Sequence, residues 1–587
     1  MRSLRELSSI LRGRRLGLLI DTTRNTTAGL FEDENYRIWA EHNEPSAEAL
    51  SRQPPLSRTF NLQPKISIIT PVFNPDKKVF IDMLESVVNQ TYDNWELCLA
   101  DASSESYTRK LIEEYKKTYP EKIRVNYLRE NRGIAGNANE ALSLATGDYI
   151  ALLDHDDTLA PFAFYEVVKV INEHPEVDFL YSDRDIIYYD DRRAHPFFKP
   201  DWSPDYLLAQ NYLCHINVFR KRVVEETGGF REGYDGSQDY DLLLRVTERT
   251  DGIIHIPKIL YHWRVVPGSA SVDPTAKPYA YDAAIKALED SIQRRGWKGV
   301  VTHGVSKGFY EVQLEVAGNP KVSVVVLADD KSKSVRRCID SILKKTLYTN
   351  YEIIVVDSLD KGNRLAEYTE NPVLSGKVKV LEDAGSLSPS EMKNYAASRS
   401  DAPYLMFLDE KTEVLTGDWL EVMLGFSQRK ESGAVGVKLI YPEGTLYSAG
   451  LILDEKGNVR RSHHGYPADS HGYNGRIQNI QNVSAISGCL MVRKEVFDEV
   501  GGFDPQFVGY VDVDFCLKLR SKNYLNVYEP QVELYYHEPL TAENSHVPQL
   551  RKESELLLQK WGHLLKHGDP YYNPNLTSEK EDFSIRM

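Results

Sequence analysis

Two parts of the chain open with the same pattern of apolar and polar residues. Residues 64–74 (PKISIITPVFN) and 320–330 (PKVSVVVLADD) each carry a short apolar run bounded by turn-forming or acidic residues, which predicts a buried strand. In each copy a helical pattern and a second apolar strand follow, at 80–92 and 94–104 in the first and at 335–348 and 350–360 in the second. Strands that alternate with helices of this length predict an α/β domain with a Rossmann-like, mostly parallel sheet.

The correspondence continues beyond the first two strands. YIALLDHDD (149–157) matches YLMFLDEKT (404–412), and residues 223–245 match residues 496–520, since both stretches contain GGF followed by an acidic helical pattern. A repeat this long is a duplicated domain and not a solenoid unit. We predict four segments: an N-terminal extension at 1–62, tandem domains at 63–315 and 316–540, and a C-terminal helix and tail at 541–587.

Composition narrows the class of protein. A chain of 587 residues is too long for one hydrophobic core, and a net charge of -15 argues against a nucleic-acid partner. The five cysteines are scattered, with no CxxC pair, so disulfides and zinc sites are not expected. There is no apolar run long enough to span a bilayer and no signal-peptide pattern, which predicts a cytoplasmic protein.

The N-terminus modifies that expectation. Residues 1–21 (MRSLRELSSILRGRRLGLLID) place leucine and isoleucine at helical spacing among five arginines. Such a helix could lie on an anionic membrane surface, which would put the protein on the inner face of the cytoplasmic membrane. It could equally pack on its own domain.

The strand beginning at Tyr149 ends in a cluster of charge. Asp154 and Asp156 form a D-x-D pair directly after the apolar run, at the edge where α/β sheets bind ligands. Mg²⁺ and Mn²⁺ prefer such oxygen ligands together with substrate phosphates. Alternatively, the segment is a solvated loop in which Asp157 or Thr158 caps the next helix. A P-loop, a dinucleotide fingerprint and an HExxH zinc motif are all absent.

Read in order, several short motifs resemble those of inverting family 2 glycosyltransferases of the GT-A fold. They are ISIITPVFN, LADASS, NRGIAGNANEAL, LLDHDD, GGF, SQDYDLLLR and YHWR. The resemblance is strong over 63–272 and looser over 320–540, and residues 181–213 resemble bacterial members that build surface polysaccharide. It implies a hexosyltransferase with two GT-A domains. Its donors would be UDP-, GDP- or dTDP-sugars and its acceptor a growing, lipid-linked glycan such as O-antigen, capsule or a rhamnose-rich polymer, made alongside other assembly proteins.

The resemblance also implies roles for residues of the first domain. Asp101 would contact the nucleotide base, and Asp154 and Asp156 would hold the divalent cation and the diphosphate. Asp239 would be the catalytic base, which this chemistry needs because an acceptor hydroxyl is a poor nucleophile, while the cation stabilises the leaving diphosphate. His262 would lie near the metal or the diphosphate. Residues implied near the acceptor or donor sugar are Lys199, Trp202 and Asp205.

Spacing alone leaves other readings open for three of these residues. Asp239 could be an acid that interacts with the start of a helix. His262 could be a buried histidine satisfied by the backbone. Asp101 could be a turn residue.

The second domain departs from the D-x-D pattern. Asp409 is retained, but Lys411 replaces the second acid, and a lysine would repel a metal ion. Either Lys411 supplies the positive charge at a metal-independent second site, or this domain is catalytically silent and binds acceptor glycan. In the first case the resemblance implies a nucleotide-sugar site formed by Asp357, Asp409 and Lys411. It also implies that Asp512 is the candidate base and that His537 contacts the sugar.

The expected function is therefore a tandem glycosyltransferase, bifunctional if both sites act. One alternative is a single active site in the first domain with a second domain that positions the acceptor. An alternative of another class is a non-catalytic glycan-binding or assembly protein. Metal-dependent hydrolysis of a nucleotide-sugar would exclude that last possibility.

Overall fold

The computed structural model describes residues 34–265, 278–328, 334–357, 365, 368, 370–371, 376–382, 387–538 and 547–587. The amphipathic pattern at 1–21 lies outside the described residues. Within the described part of the chain, no helix combines the length and apolarity that a membrane span requires. All five cysteines are free, and four of them are buried.

The first half forms one large mixed sheet. Its strands are β1 (Ile66–Val72), β2 (Trp95–Asp101), β3 (Ile123–Tyr127), β4 (Tyr149–Leu152), β5 (Thr158–Leu159), β6 (Phe179–Ile187), β7 (Arg193–Phe197), β8 (Asn217–Arg220) and β9 (Ile253–Arg264). Their order is β3-β2-β1-β4-β8-β6-β9-β5, with β7 paired to β6. A hairpin of β10 (Gly299–His303) and β11 (Tyr310–Leu314) follows.

Strand direction places the ends of several strands at one edge. Strands β3, β2, β1 and β4 run parallel, and β1 and β4 are almost wholly buried apolar runs, as expected of strands covered on both faces. Strand β8 then pairs antiparallel with β4 and with β6, while β9 runs parallel to β6. The predicted α/β class is confirmed. The loops after β1, β2 and β4 leave the sheet on the same side.

Helices cover this sheet. They are a helix at 34–43, α1 (Ala47–Ser57), α2 (Lys77–Val88), α3 (Ser106–Thr118), α4 (Gly133–Leu142), α5 (Ala163–Glu173), α6 (Pro204–Ala209), α7 (Lys221–Thr227), α8 (Gln238–Thr247) and α9 (Pro278–Arg294). Helix α2 starts earlier than its apolar pattern suggests because the Asp76 carboxylate accepts the N–H groups of Lys78 and Val79.

One predicted helix start is wrong. Neither Asp157 nor Thr158 caps a helix, because α5 begins only at Ala163, after Phe162. Thr158 instead pairs with His262 as part of β5. The Asp157 carboxylate accepts hydrogen bonds from β9 rather than from a helix N-terminus.

The second half repeats the same path. Its strands are β12 (Val322–Ala328), β13 (Tyr351–Asp357), β14 (Val378–Glu382), β15 (Tyr404–Leu408), β16 (Thr412–Val414), β17 (Ser432–Ile440), β18 (Leu446–Ser448), β19 (Leu451–Leu453), β20 (Val459–Arg461), β21 (Gln481–Asn482), β22 (Cys489–Arg493) and β23 (Leu525–Tyr536). The main order is β14-β13-β12-β15-β22-β17-β23-β16. Each of the eight strands in this main order has a counterpart in the first sheet, whereas β19 and β20 form a separate two-stranded sheet.

The helices of the second half precede a C-terminal tail. They are α10 (Ser334–Lys345), α11 (Pro389–Ser398), α12 (Trp419–Ser427), α13 (Lys494–Glu499), α14 (Val511–Ser521) and α15 (Val547–Leu565), with a short 3-10 turn at Tyr473–Gly475. The tail after α15 packs across both halves. A small apolar cluster joins Tyr36, Trp39 and Phe198 to Tyr572 and Phe583.

Buried polar contacts also join the halves. The Asp205 carboxylate, fully buried at α6, lies 2.5 Å from the guanidinium of Arg429 and accepts the amide of Asn482 at 2.6 Å. The tail adds Asn573, whose amide donates to the Asp183 carboxylate at 2.9 Å. The two sheets are therefore held in one arrangement by charged and amide groups as well as by apolar packing.

Candidate active site

Three carboxylates gather at the end of β4. Asp154, Asp156 and Asp157 each offer an oxygen within 4.8 Å of the others. Both oxygens of Asp157 are held by β9, one by the backbone N–H of Arg264 at 2.7 Å and the other by the Tyr261 hydroxyl. Burial raises the pKa of Asp157 well above the usual carboxyl range. Asp157 therefore anchors the loop, and Asp154 and Asp156 are partly exposed.

A second group adjoins the first. Cys214, His215 and Asp239 offer ligand atoms within 4.8 Å of one another, and Nε2 of His215 lies 3.9 Å from a carboxylate oxygen of Asp154. Asp239 sits in the first turn of α8, and its other neighbour is Asn211, whose amide donates to it at 3.0 Å. His215, in the loop before β8, thus lies close both to Asp154 and to the candidate base Asp239.

Electrostatics define the protonation of this second group. Burial raises the pKa of Asp239, with Asp154 adding to the shift and His215 opposing it. Burial lowers the pKa of His215 and raises that of the Cys214 thiol to about 12, which favours the neutral form of both groups. A carboxylate with a raised pKa is a stronger proton acceptor, which suits general-base chemistry.

The carboxylates satisfy the basic requirement for a divalent cation. Asp154 and Asp156 supply oxygens, the ligand type that Mg²⁺ and Mn²⁺ prefer. Both face a partly open edge of the sheet and not the core, which would leave coordination positions for substrate phosphates. Within the described part of the chain, both clusters of potential metal ligands lie in this first half.

Of two further residues implied by the resemblance, Asp101 lies at this edge and His262 does not. Asp101 ends β2 and is buried, and its carboxylate accepts the N–H of Ser103 at 2.9 Å, as in an Asx turn. His262 does not join the Asp154 group. Its Nδ1 lies 2.6 Å from the Asp185 carboxylate, and alternation along β9 puts its side chain on the face opposite Tyr261.

The residues implied near the sugar have other neighbours. The ammonium group of Lys199 is fully buried and donates to the backbone carbonyls of Leu213 and His215, both at 3.0 Å. Burial lowers the pKa of Lys199 to about 7. Trp202 packs against the core of the first half, and Asp205 belongs to the contact between the halves. Lys199 thus supports the loop that carries His215, and the structure does not bring Asp205 to the D-x-D edge.

His215 is the residue that sequence reasoning missed. It occurs in NYLCHINVF, which contains no motif, and it reaches Asp154 only because β8 pairs with β4. Its Nδ1 is buried and has no hydrogen-bond partner among the described residues. The sequence shows only that a histidine lies next to a strand. Which histidine approaches the acids depends on the order of the strands in the sheet.

The corresponding edge of the second half is held differently. Asp409 accepts the backbone N–H of Lys411 at 2.8 Å and the hydroxyl of Tyr536 at 3.0 Å. The Lys411 ammonium lies 3.0 Å from the Glu538 carboxylate. Burial raises the pKa of Asp409. Lysine thus occupies the position where the first half presents Asp156.

The candidate base of the second half is ion-paired. Asp512, in the first turn of α14, lies 2.6 Å from the ammonium of Lys393 on α11. His537 lies 3.0 Å from Glu413, and Asp357 is buried at the end of β13. Asp512 thus has an ammonium group as its close partner, where Asp239 has the amide of Asn211.

Comparison with known proteins identifies a matching family and several relatives of this chain. Residues 67–228 and 323–501, one segment in each half, match the family described as Glycosyl transferase family 2. An uncharacterized protein of Sinorhizobium fredii is 38% identical over 561 residues, which are 94% of this chain and 61% of that protein. The O-antigen biosynthesis protein RfbC of Myxococcus xanthus is 33% identical over 559 residues, 94% of this chain and 43% of that protein.

A third relative matches a shorter segment. The chondroitin synthase of Escherichia coli is 30% identical over 244 residues, 41% of this chain and 34% of that protein. This chain therefore spans less than two thirds of the length of each of these three relatives.

Proposed function

Because this chain belongs to glycosyl transferase family 2, we propose that it transfers sugars from nucleotide-sugar donors to a growing polysaccharide, with inversion, at a metal-dependent site in its first half. One observation carries the proposal. The D-x-D pair of Asp154 and Asp156 lies beside Asp239, with His215 Nε2 only 3.9 Å from Asp154. Cation ligands and a candidate base thus share one edge of the sheet.

In this proposal the three acids have two tasks, metal binding and proton transfer. Asp154 and Asp156 would hold Mn²⁺ or Mg²⁺, which when bound supplies positive charge to the leaving nucleoside diphosphate. The Asp239 carboxylate takes the proton of the acceptor hydroxyl as its oxygen bonds to the anomeric carbon. The bond from that carbon to the diphosphate breaks on the opposite face, which inverts the configuration. Asn211 orients the Asp239 carboxylate through its 3.0 Å hydrogen bond.

The names of two relatives, an O-antigen biosynthesis protein and a chondroitin synthase, support a polysaccharide acceptor. We propose that the acceptor is lipid-linked and is extended at the inner face of the cytoplasmic membrane. The amphipathic pattern at 1–21 is the sequence feature that supports contact with the membrane.

The second half has a second candidate function, which is to hold the acceptor glycan without catalysis. The ion pair of Asp512 with Lys393, at 2.6 Å, favours it, because the Lys393 ammonium already occupies the carboxylate that would have to accept the proton of an acceptor hydroxyl. The competing hypothesis assigns Lys411 to the donor diphosphate at a metal-independent transferase site.

A donor panel tests the proposal. Release of nucleoside diphosphate from UDP-, GDP- and dTDP-sugars would be measured with and without EDTA for the wild type, Asp156→Ala and Lys411→Ala. We expect EDTA and Asp156→Ala to abolish the same reaction. Asp190→Ala, which removes an exposed carboxylate from the turn after β6, serves as the control and should retain it. If no donor is consumed by the wild type under any condition, the transferase proposal fails.

The same assay separates the two hypotheses for the second half. A reaction that survives EDTA and Asp156→Ala but is lost in Lys411→Ala would assign transfer to the second site. Product linkages of Asp239→Asn and Asp512→Asn would then be compared. If Asp239→Asn abolishes a linkage and Asp512→Asn changes none, the second half is not a transferase.

A further inference from the structure

An arginine of β6 faces the candidate active site from the side. Arg184 pairs with Tyr261 of β9 and with Phe197 of β7, and the Tyr261 hydroxyl in turn bonds to Asp157. The ionisable groups that act most strongly on Arg184 are, in order, Cys214, Asp185 and Asp157. Alternation along β6 turns Arg184 away from the face on which its neighbour Asp185 bonds to His262.

The guanidinium of Arg184 lies between aromatic rings. Its central carbon is 4.7 Å from the ring centroid of Trp263 and 5.6 Å from that of Phe197. Among the residues that the structure describes, it makes no ion pair or hydrogen bond, and its Nε is enclosed without a partner. Burial lowers the pKa of Arg184. Its charge is therefore held by ring faces and is not neutralised by a carboxylate.

Three other arginines are neutralised by a carboxylate, whereas the buried Arg476, like Arg184, has an Nε without a hydrogen-bond partner among the described residues. Arg193 contacts Asp185, Arg245 contacts Asp241 and Arg429 contacts Asp205, each within 3 Å. Enclosing a cation without a counter-charge is costly, and ring faces compensate for only part of that cost. A guanidinium left with free donors beside a ligand site is suited to an incoming oxyanion, which it can bind through two parallel N–H groups.

We propose that Arg184 binds an oxyanion of the donor at the first site. The group is either a phosphate of the diphosphate or a carboxylate on the transferred sugar. Both can accept two parallel N–H groups from a planar guanidinium. The inference rests on the proposed nucleotide-sugar function and adds a binding residue to it. The aromatic walls fix the guanidinium plane, and Phe197 is itself backed by Tyr473 of the second half, with ring centroids 6.2 Å apart.

Calorimetric titration of the full chain in Mn²⁺ tests the inference. The first arm uses UDP, GDP and dTDP. The second uses a neutral and an acidic sugar on whichever nucleotide binds, such as UDP-glucose and UDP-glucuronic acid. The variants are Arg184→Met, Arg184→Lys and the control Arg192→Met, which removes an exposed arginine that stacks on Tyr188.

Loss of a charge-assisted hydrogen-bonded contact should weaken binding about 10-fold to 100-fold in Arg184→Met. A loss shared by the nucleoside diphosphate and both sugars assigns the phosphate, and a loss confined to the acidic donor assigns the sugar carboxylate. Arg184→Lys should bind more weakly than wild type but more tightly than Arg184→Met, because lysine keeps the charge but not the planar fork. Arg192→Met should bind like wild type.

The outcomes separate failure of the Arg184 inference from failure of the proposed nucleotide-sugar function. If wild type binds nucleotides and Arg184→Met binds every probe within twofold of it, the inference is overturned while the proposed function stands. If wild type binds none of the probes, both fail. Thermal unfolding reports whether Arg184→Met is folded. If it is not, the comparison uses Arg184→Lys alone, and unchanged affinity for all probes in that variant overturns the inference.

Discussion

Replacing Glu529 by glutamine should stabilise the protein at pH 8 and change little at pH 5. Glu529 is fully buried on β23, beside Arg429 and Asp205, and burial raises its pKa to about 8. One carboxyl oxygen accepts the N–H of Gln531 at 2.9 Å, and the other has no partner within the described part of the chain. The side chain is thus suited to its neutral form, which glutamine resembles in shape.

The unfolding free energy depends on pH because Glu529 has different pKa values in the folded and unfolded states. An unfolded glutamate has a pKa of about 4.3, so the native state binds this proton more tightly than the unfolded state. Its contribution to stability is complete below the unfolded pKa and is lost as pH rises through the folded value. At about 1.36 kcal/mol per pKa unit, the wild type loses about 3 to 5 kcal/mol of unfolding free energy between pH 5 and pH 8 from this group. Glutamine cannot ionise and removes that loss.

Urea denaturation followed by tryptophan fluorescence measures the effect at both pH values. We expect the transition midpoint of Glu529→Gln to exceed that of wild type clearly at pH 8 and to lie close to it at pH 5. Glu495→Gln, at an exposed glutamate whose side chain is 76% accessible, should shift the midpoint at neither pH. Equal midpoint shifts of Glu529→Gln at both pH values would refute the reasoning, since they would show that Glu529 has similar pKa values folded and unfolded.

Two further predictions concern the contact between the halves and the candidate base. Arg429→Met leaves the Asp205 carboxylate buried without its cation, which should lower the unfolding free energy by about 3 to 5 kcal/mol in the same urea assay; an unchanged midpoint would contradict it. Because burial raises the pKa of Asp239 and only the ionised base accepts a proton, kcat/KM for the first site should fall on acidification at a pH above the ordinary carboxyl range. A profile that stays flat down to pH 4 would count against Asp239 as the base.

Much of the fold follows from local sequence pattern. The apolar runs at 66–72 and 322–328 form the strands that the pattern predicts, and NRGIAGNANEAL supplies helix α4 after a turn. Duplication was visible because matching motifs recur in the same order, and the two sheets have corresponding strand orders. Local pattern did not predict that Thr158 forms strand β5, since that depends on pairing with β9, about a hundred residues away.

The candidate site was less accessible to prediction because distant segments build it. The acids at 154 and 156 follow directly from a strand end, but His215 and Arg184 approach them through the pairing of β8 with β4 and of β6 with β9. The resemblance likewise implied a sugar contact for Asp205, whereas the structure pairs its carboxylate with Arg429, in the other half of the chain. Motifs identify which residue types are present, while long-range pairing decides which of them meet.

The same limit explains why one architecture need not give one chemistry twice. In each half, one edge of the sheet carries an acid that follows a central strand and an acid in the first turn of a helix. These are Asp154 and Asp239 in the first half, and Asp409 and Asp512 in the second. In the first half the imidazole of His215 adjoins both acids. In the second half, Gly488 stands at that place and the Lys393 ammonium lies 2.6 Å from Asp512. An ammonium group at the second edge reduces its attraction for a metal ion, so this edge is better suited to holding an anion or a glycan than a divalent cation.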